Sequence, residues 1–149
     1  MKNFKFIPLY SIMIVSLLAA SCAKKDDSSK PASSAPMSAT INGISWSAAS
    51  VTGKNKTGDV EVAGTAADGS EMGIKMATTT PGTYTVDAQN YAILYAKNAS
   101  TNYVATSGTI VITSFSGGVM KGTFSGNAPN LTNQTDVSTI TSGSFTVTF

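Results

Sequence analysis

The sequence predicts an all-β domain, an antiparallel β-sandwich of about eight to ten short strands. Three observations predict this class. Gly, Asn, Asp and Pro recur at short intervals, apolar and polar residues alternate with a period of two between them, and nothing from residue 36 to residue 149 has the periodicity of a helix. An up-and-down barrel of the lipocalin type is the alternative, because both arrangements bury one face of each strand and limit exposed edges.

The first hairpin is predicted over residues 37–48. Asn42-Gly43 suits a two-residue type I′ turn, in which both central residues have positive φ. Pairing across this turn sets Ile41 opposite Ile44 and puts Trp46 on the same apolar face. We therefore expect Trp46 to anchor the core rather than to stack on a ligand.

The second hairpin is predicted around a three-residue loop, Ala67-Asp68-Gly69, with Gly69 in the left-handed conformation of a β-bulge. A two-residue turn would mix apolar and polar side chains on both faces. The three-residue loop instead sets Val62 opposite Ile74 on an apolar face. Glu61 then faces Lys75 on the solvated side, and we expect a cross-strand charge pair there rather than an acid/base pair.

Two further strands are predicted after this hairpin. Pro81-Gly82 is a type II turn signal that leads into a strand over residues 83–86. The segment from Tyr91 to Lys97 follows as a strand that carries aromatic side chains.

The next hairpin, residues 109–125, turns at Gly117-Gly118 and admits two registers. A two-residue loop groups Val111 with Phe124, whereas a three-residue loop that includes Ser116 groups Ile112 with Phe124. A polar loop over residues 127–134 is expected next. The chain then ends in a predicted buried strand, in which the apolar residues 145, 147 and 149 alternate with threonines.

Residues 1–21 have the composition of a lipoprotein signal peptide. Two lysines precede an apolar stretch over residues 7–20, which is too short to span a bilayer. Cys22 is the only cysteine and follows the small residues Ala20-Ser21, an arrangement that resembles the lipobox of bacterial lipoproteins. In a lipobox the cysteine sulfur receives a diacylglycerol, and acyl chains, palmitate among them, then hold the protein on the membrane. Cys22 is therefore the predicted lipidation site.

Residues 22–36 are predicted to be the lipidated cysteine and a disordered tether, because Ser, Pro and charged residues dominate them without apolar periodicity. Fully extended, the tether would reach about 45 Å. Within it, Lys25, Asp26 and Asp27 resemble the Lys-acidic-acidic signal that exports Bacteroidota lipoproteins to the outer face of the outer membrane. The predicted localisation is therefore the outer membrane, lipid-anchored at the cell surface, with the periplasmic face as the alternative. Residues 37–149 form the predicted folded domain.

The charge of the chain argues against nucleic acid as a partner. Removing residues 1–21 leaves eight lysines against eight acidic residues, and the chain has no arginine. Nucleic-acid binding requires clustered basic side chains that displace counterions. The membrane, reached through the lipid, is the partner that the sequence implies.

Few reactive side chains are available for catalysis. The chain has no histidine, and no Gly-x-Ser-x-Gly elbow or metal-ligand spacing occurs. The folded part contains six carboxylates: Asp59, Glu61, Asp68, Glu71, Asp87 and Asp136. We expect no enzymatic activity, no cofactor and no metal, with Asp87 and Asp136 as loop residues rather than an acid/base couple.

Four motifs occur in a recognisable order. They are Thr40-Ile41-Asn42-Gly43 with Trp46, then Pro81-Gly82-Thr83-Tyr84, then residues 107–114, then Gly122-Thr123-Phe124. This order resembles a family of small β-rich Bacteroidota lipoproteins of unknown function, over nearly the whole mature chain. The resemblance implies the same localisation and an all-β fold, and it supplies no active site.

The expected function is that of a non-catalytic module, displayed on the membrane, that binds a glycan, a protein or another surface partner through loops or a sheet edge. The alternative is a carrier that holds a small apolar ligand inside a barrel. Tyr84, Tyr91 and Tyr95 would then line a cavity on the order of 300 Å³ or more.

Overall fold

The computed structural model describes residues 35–57 and 59–149. The predicted signal peptide, Cys22, the motif Lys25-Asp26-Asp27 and nearly all of the predicted tether lie outside these residues. The described part contains ten β-strands and no helix. The strands are β1 (Met37–Ile41), β2 (Ile44–Lys56), β3 (Asp59–Ala66), β4 (Glu71–Met76), β5 (Gly82–Thr85), β6 (Tyr91–Asn98), β7 (Thr101–Val104), β8 (Ser107–Ser116), β9 (Val119–Pro129) and β10 (Val137–Thr148).

All ten strands belong to one antiparallel sheet that curls strongly, in the order β5-β8-β9-β10-β1-β2-β3-β4-β6-β7. The β1–β2 hairpin joins two halves of five strands each, and the inward faces of both halves enclose one core. The predicted all-β antiparallel class is confirmed, in the form of a half-barrel.

The curl brings the edge strand β7 against the residue that follows β9, and the edge strand β5 against β6, along a line that we call the seam. At one end of the seam, Tyr103 of β7 forms an antiparallel bridge with Asn130, just after β9. At the other end, the ring of Tyr84 in β5 stacks on the ring of Tyr91 in β6, with centroids 4.6 Å apart. Backbone pairing and aromatic contact thus protect strand edges that would otherwise invite aggregation.

Both registers predicted for the first two hairpins are confirmed. Asn42 has a φ of 51° and Gly43 a φ of 80°, and Ile41 pairs with Ile44. In the second hairpin Gly69 has a φ of 83° and the β3–β4 pairs are those predicted, Val62 with Ile74 and Glu61 with Lys75 among them.

The first hairpin differs from expectation in the burial of one residue. Trp46 is buried as predicted, whereas Ile44 is 73% exposed. Pairing between β2 and β3 begins only at Ala48, so Ile44 extends past the strand that would have covered it.

A β-bulge resolves the two registers that the sequence leaves open for β8 and β9. Gly117 and Gly118 form a two-residue turn with positive φ, as in the first register. Thr113 is an extra residue in β8 that has no partner in β9. On the side of Thr113 away from the turn, Ile112 pairs with Gly122, as in the second register. Each register therefore holds on one side of the bulge.

The prediction of a type II turn at Pro81-Gly82 is wrong. Gly82 does not have the positive φ that this turn requires, and it is the first residue of β5, paired with Ile112. Long-range pairing with β8 holds Gly82 in an extended conformation. The chain bends at Ala77 and at Thr80-Pro81 before β5, and the Thr80 N–H donates to Thr78 Oγ1 at 3.1 Å.

The last two strands are longer than predicted. β9 continues to Pro129, which pairs with Val137. The polar loop therefore begins after residue 129 and not at residue 127, as predicted. Phe145 and Val147 are buried as expected, while Phe149 is 37% exposed and packs edge-on against Phe115.

Candidate functional site

Six of the connections between strands lie at two ends of the curled sheet. The end we call the far end carries the β1–β2 turn, the β3–β4 loop, the β6–β7 turn and the β9–β10 loop. The opposite, near end carries the β2–β3 and β8–β9 turns. β1 starts on the near side, where Met37 pairs with Phe145, and runs toward the far end. Met37 therefore lies at the opposite end of the five-residue strand β1 from the far-end β1–β2 turn.

A groove of about 330 Å³ crosses the outer face of β8, β9 and β10 beside the far end. Its lining consists of Ser107, Gly108, Ser125, Gly126, Asn127, Thr139, Ile140 and Thr141. Ile140 is 1% exposed, so its backbone rather than its side chain faces the groove. The groove is open to solvent and presents hydroxyl, amide and backbone groups without a charged or aromatic side chain.

The β1–β2 turn fixes the β10 wall of this groove. The Asn42 N–H donates to the Thr139 carbonyl oxygen at 2.9 Å, and the Thr139 N–H donates to Asn42 Oδ1 at 2.8 Å. Asn42 Nδ2 also reaches Ser138 Oγ at 3.4 Å. This reciprocal bonding holds the backbone of Thr139 in place and leaves its hydroxyl group unengaged.

Five polar side chains line the groove, and most have no partner within the described residues. No side-chain hydrogen bond joins four of them to another described residue: Ser107, Asn127, Thr139 and Thr141. The fifth, Ser125, has only a 3.4 Å contact with Thr109 Oγ1. By contrast, the Asn42 side chain is bonded to β10, and the Asn130 side chain holds its own loop. The groove hydroxyls and amide are therefore available to a ligand.

Irregular backbone surrounds the groove. β10 bulges between Ile140 and Gly143, where Ser142 has a φ of 51°. Gly108 has a φ of 146°, and a Cβ there would clash with the Ser125 carbonyl oxygen. Such bulges bend a strand and re-aim its side chains, and they are frequent beside binding sites.

A second, smaller concavity of about 160 Å³ lies on the β2–β3 hairpin toward the near end. It is lined by Lys54, Lys56, Asp59 and Glu61. Glu61 pairs with Lys54 on one side and with Lys75 on the other, so charges alternate across three strands. This arrangement is a solvated charge ladder of the kind predicted for Glu61 and Lys75.

Asp68 and Asp87 are both bound within turns. Asp68 Oδ1 accepts hydrogen bonds from the Ser70 hydroxyl at 2.6 Å and from its N–H at 2.9 Å, which hold the pKa of Asp68 below its usual value. Asp87 Oδ1 accepts from the N–H groups of Tyr91 at 2.9 Å and Asn90 at 2.7 Å, and these bonds lower the pKa of Asp87 to about 2. Both carboxylates stay ionised as acceptors and do not serve as proton donors near neutral pH.

Asp136 ties the β9–β10 loop to β7. Its Oδ2 accepts a hydrogen bond from the Tyr103 hydroxyl at 2.9 Å and another from Asn130 Nδ2 at 3.1 Å. Burial, followed by the bond to Asp136, raises the pKa of Tyr103, which therefore remains a protonated donor. Asp87 and Asp136 thus belong to separate hydrogen-bond networks, as expected for loop residues. In the described ranges no three Asp, Glu, Cys or His side chains converge on a metal-sized site.

The tyrosines that the carrier hypothesis places around a cavity pack against other tyrosines. Tyr84 stacks on Tyr91 at the seam, and Tyr95 stacks on Tyr103 with centroids 5.7 Å apart. Tyr95 is 9% exposed and belongs to the core. The two concavities described above both lie on the outer surface.

The groove is not evident from the sequence. Its residues come from three strands, and Ser or Thr occupies the outward positions of nearly every strand, so these hydroxyls have no distinctive pattern. A usable signal was the pair of glycines inside strands, Gly108 and Gly126, which face each other across β8 and β9. Glycine within a strand marks a bulge or a close backbone approach.

Comparison with known families finds one match. A domain of unknown function, DUF6252, matches residues 33–148, a range that contains every strand described above. No curated protein and no solved structure matches the chain. The described part of the chain has no helix of the length and hydrophobicity needed to cross a bilayer.

Proposed function

The chain belongs to the family of the domain of unknown function DUF6252, and we propose that this member is an outer-membrane lipoprotein of the Bacteroidota type. Cys22 carries the lipid, residues 1–21 are removed, and residues 23–36 link the anchor to the β-domain. The β-domain is a non-catalytic binding module displayed at the cell surface. The observation that carries the proposed binding role is the groove beside the far end, with its unengaged polar side chains.

The position of the attachment point supports display of the far end. The chain joins the sheet at Met37, and β1 then runs toward the far end. A lipid attached before Met37 leaves the far-end loops and the groove free to contact a partner. A tether of the predicted composition, reaching about 45 Å when extended, would let the domain stand clear of the lipid headgroups.

Exposed apolar side chains at the far end also support an interaction surface. Ile44 is 73% exposed, Leu131 58% and Val137 44%, and all three belong to the far-end turns or the strand residues beside them. These apolar side chains are therefore accessible to a partner that contacts the far end.

The state of the carboxylates supports a non-catalytic role. Asp68, Asp87 and Asp136 each accept hydrogen bonds that hold a turn or loop, and Glu61 lies in a solvated ladder. None of these groups faces the groove lining. A general acid or base would need a titratable side chain within hydrogen-bond reach of the bound ligand.

Fractionation of a Cys22→Ala variant tests the anchor. Two or three acyl chains contribute roughly 0.8 kcal/mol per buried CH₂ group, which makes wild-type association with the membrane nearly permanent. The variant is expected in the soluble fraction, while the wild type remains in the membrane fraction. A variant that stays membrane-bound and acylated would contradict the proposal.

Protease treatment of intact cells tests surface display. The wild type is expected to be degraded, and a variant with Lys25, Asp26 and Asp27 replaced by alanine is expected to be protected on the periplasmic face. Lys30→Ala is the matched control, because it removes a charge from the same segment outside the motif. Protection of the wild type would place the protein on the inner face and overturn display.

A further inference from the structure

We propose that the groove across β8, β9 and β10 binds a neutral saccharide, about one or two sugar rings in extent. This inference rests on the proposed function, since it names the partner of the same displayed site. The volume of the groove, about 330 Å³, lies at the lower limit of ordinary ligand sites, whose volumes run from roughly 300 to 1,000 Å³. Three features of the groove favour a saccharide: the hydrogen-bonding capacity of its lining, the neutrality of its lining, and its position within the sheet.

The lining matches the bonding needs of a polyol. Every sugar hydroxyl both donates and accepts, so a saccharide site requires side chains that can do both. The Ser107 and Thr139 hydroxyls have this capacity, and the Asn127 amide offers two donors and one acceptor. None of these three side chains is hydrogen-bonded to another described residue, so a ligand displaces only water from them.

The neutrality of the lining excludes other small-molecule classes. Anionic ligands are typically held by basic side chains, and no charged side chain lines the groove. An apolar ligand would require apolar side chains, and Ile140, the only large apolar residue in the lining, is buried in the core. Uncharged polar compounds remain as the class that fits.

The position of the groove within the sheet excludes a peptide that adds as a strand. β-Strand addition requires an unpaired strand edge. Each of the three groove strands is already paired on both sides, β8 with β5 and β9, β9 with β8 and β10, and β10 with β9 and β1. Side chains rather than backbone edges must therefore make the contacts, which suits a saccharide.

We expect a single groove to bind a saccharide weakly, and many copies of the protein together to bind a polymeric glycan strongly. It has no aromatic ring on which a sugar could stack, and its hydrogen bonds form in the presence of water, so a dissociation constant of about a millimolar is expected. A lipid-anchored protein is present in many copies on one membrane. A polymeric glycan that meets several copies gains affinity through effective concentration alone.

The direct test is an NMR titration of the full-length lipoprotein in a zwitterionic detergent without a sugar headgroup. Maltose, cellobiose and diacetylchitobiose serve as neutral probes, and sialyllactose as the charged comparison. At least one neutral probe is expected to shift the backbone amides of the groove residues and to saturate. Sialyllactose is expected to bind no more tightly.

Two variants locate the site. Asn127→Ala is expected to weaken binding about tenfold, since it removes several hydrogen bonds to the ligand. Thr123→Ala is the matched control, because Thr123 also faces outward from β9 but lies outside the groove. Its affinity should equal that of the wild type. Thermal melts of both variants establish that they are folded.

The proposal is overturned if no neutral probe shifts the groove amides, or if Asn127→Ala and Thr123→Ala bind equally well. The fractionation and protease results depend on Cys22 and the Lys25-Asp26-Asp27 motif, and they are measured without any sugar. Failure of saccharide binding is therefore distinguishable from failure of anchoring or display.

Discussion

Trp46 Nε1 donates a 2.8 Å hydrogen bond to Ser70 Oγ, and this buried contact joins β2 to the β3–β4 loop. Trp46 is 7% exposed and Ser70 is 2% exposed. The Ser70 hydroxyl in turn donates to Asp68 Oδ1 at 2.6 Å. A chain of two hydrogen bonds thus runs from the core to an ionised carboxylate and satisfies the only indole N–H in the protein.

Ser70→Ala is expected to destabilise the protein by about 1–3 kcal/mol, because it leaves the buried indole N–H without an acceptor. Urea unfolding followed by the emission of the single tryptophan measures the change. Trp46→Phe provides the complementary variant, with unfolding followed by circular dichroism. In the Trp46→Phe background, Ser70→Ala should lower the free energy of unfolding by a smaller amount, since no indole N–H remains to be satisfied. Additive losses would contradict the coupling.

Gly122→Ala is expected to destabilise the protein by about 1–3 kcal/mol through overpacking. A Cβ at Gly122 would clash with the Val111 carbonyl oxygen and lie 2.5 Å from Phe145 Cζ. Gly73→Ala is the matched control, because its Cβ would meet only the Leu94 side chain, at 3.7 Å. Gly73→Ala should be neutral or slightly stabilising, since alanine restricts the unfolded chain. Equal melting temperatures for the two variants would contradict the packing described for β8, β9 and β10.

The turns that could be predicted from the sequence are those whose geometry is set by neighbouring residues. Asn42-Gly43 and Ala67-Asp68-Gly69 specify their own φ angles, and the apolar pattern on both sides then selects one register. The Thr113 bulge could not be predicted, because the residues around Gly117-Gly118 satisfy either register locally. The choice depends on which residues of β8 the curled sheet brings over the core, namely Ile110 and Ile112.

The failures at Gly82 and at the groove have a related cause. Gly82 is held extended by Ile112, which lies thirty positions later in the chain, so its local turn preference is overridden. The groove arises where Ser107, Asn127 and Thr139 meet across three strands. Each is an ordinary outward-facing polar residue in its own strand, and only the register brings them together.

Deleting Thr113 is expected to leave the protein folded, because it removes the extra residue of the bulge and lets Ile112 and Ser114 pair in a regular register. The hydrogen bond from Thr113 Oγ1 to the Lys121 carbonyl oxygen is lost, so a small fall in melting temperature is expected.

Deleting Val111 instead is the informative comparison. This deletion makes Ile110 and Ile112 neighbours, so one of them must leave the core at a loss of about 1.5–3 kcal/mol, before any cavity is counted. Circular dichroism melts of the two deletions should therefore differ strongly. Similar melting temperatures would show that the bulge does not set the register.

Asp87 is expected to make stability depend on pH in acid. Its folded-state pKa of about 2 lies below the ordinary value of 3.8. The stability it contributes is present above the ordinary value and is lost as the pH falls through about 2. Between pH 4 and pH 2 the melting temperature of the wild type should therefore fall more steeply than that of Asp87→Asn, which cannot titrate. Asp68 is present in both proteins, so the difference isolates Asp87. A carboxyl titration by NMR with a midpoint near the ordinary value would contradict this.

Labelling a single cysteine at the far end tests outward display most directly. Ala99 is exposed in the β6–β7 turn, and Ala99→Cys introduces a free thiol into a chain whose only other cysteine is Cys22. A membrane-impermeant maleimide is expected to label Ala99→Cys equally in intact and in lysed cells. The wild type should remain unlabelled in both, because acylation occupies the Cys22 sulfur. Labelling of Ala99→Cys only after the outer membrane is opened, or labelling of the wild type at Cys22, would contradict a lipid-anchored domain that presents its far end to the outside.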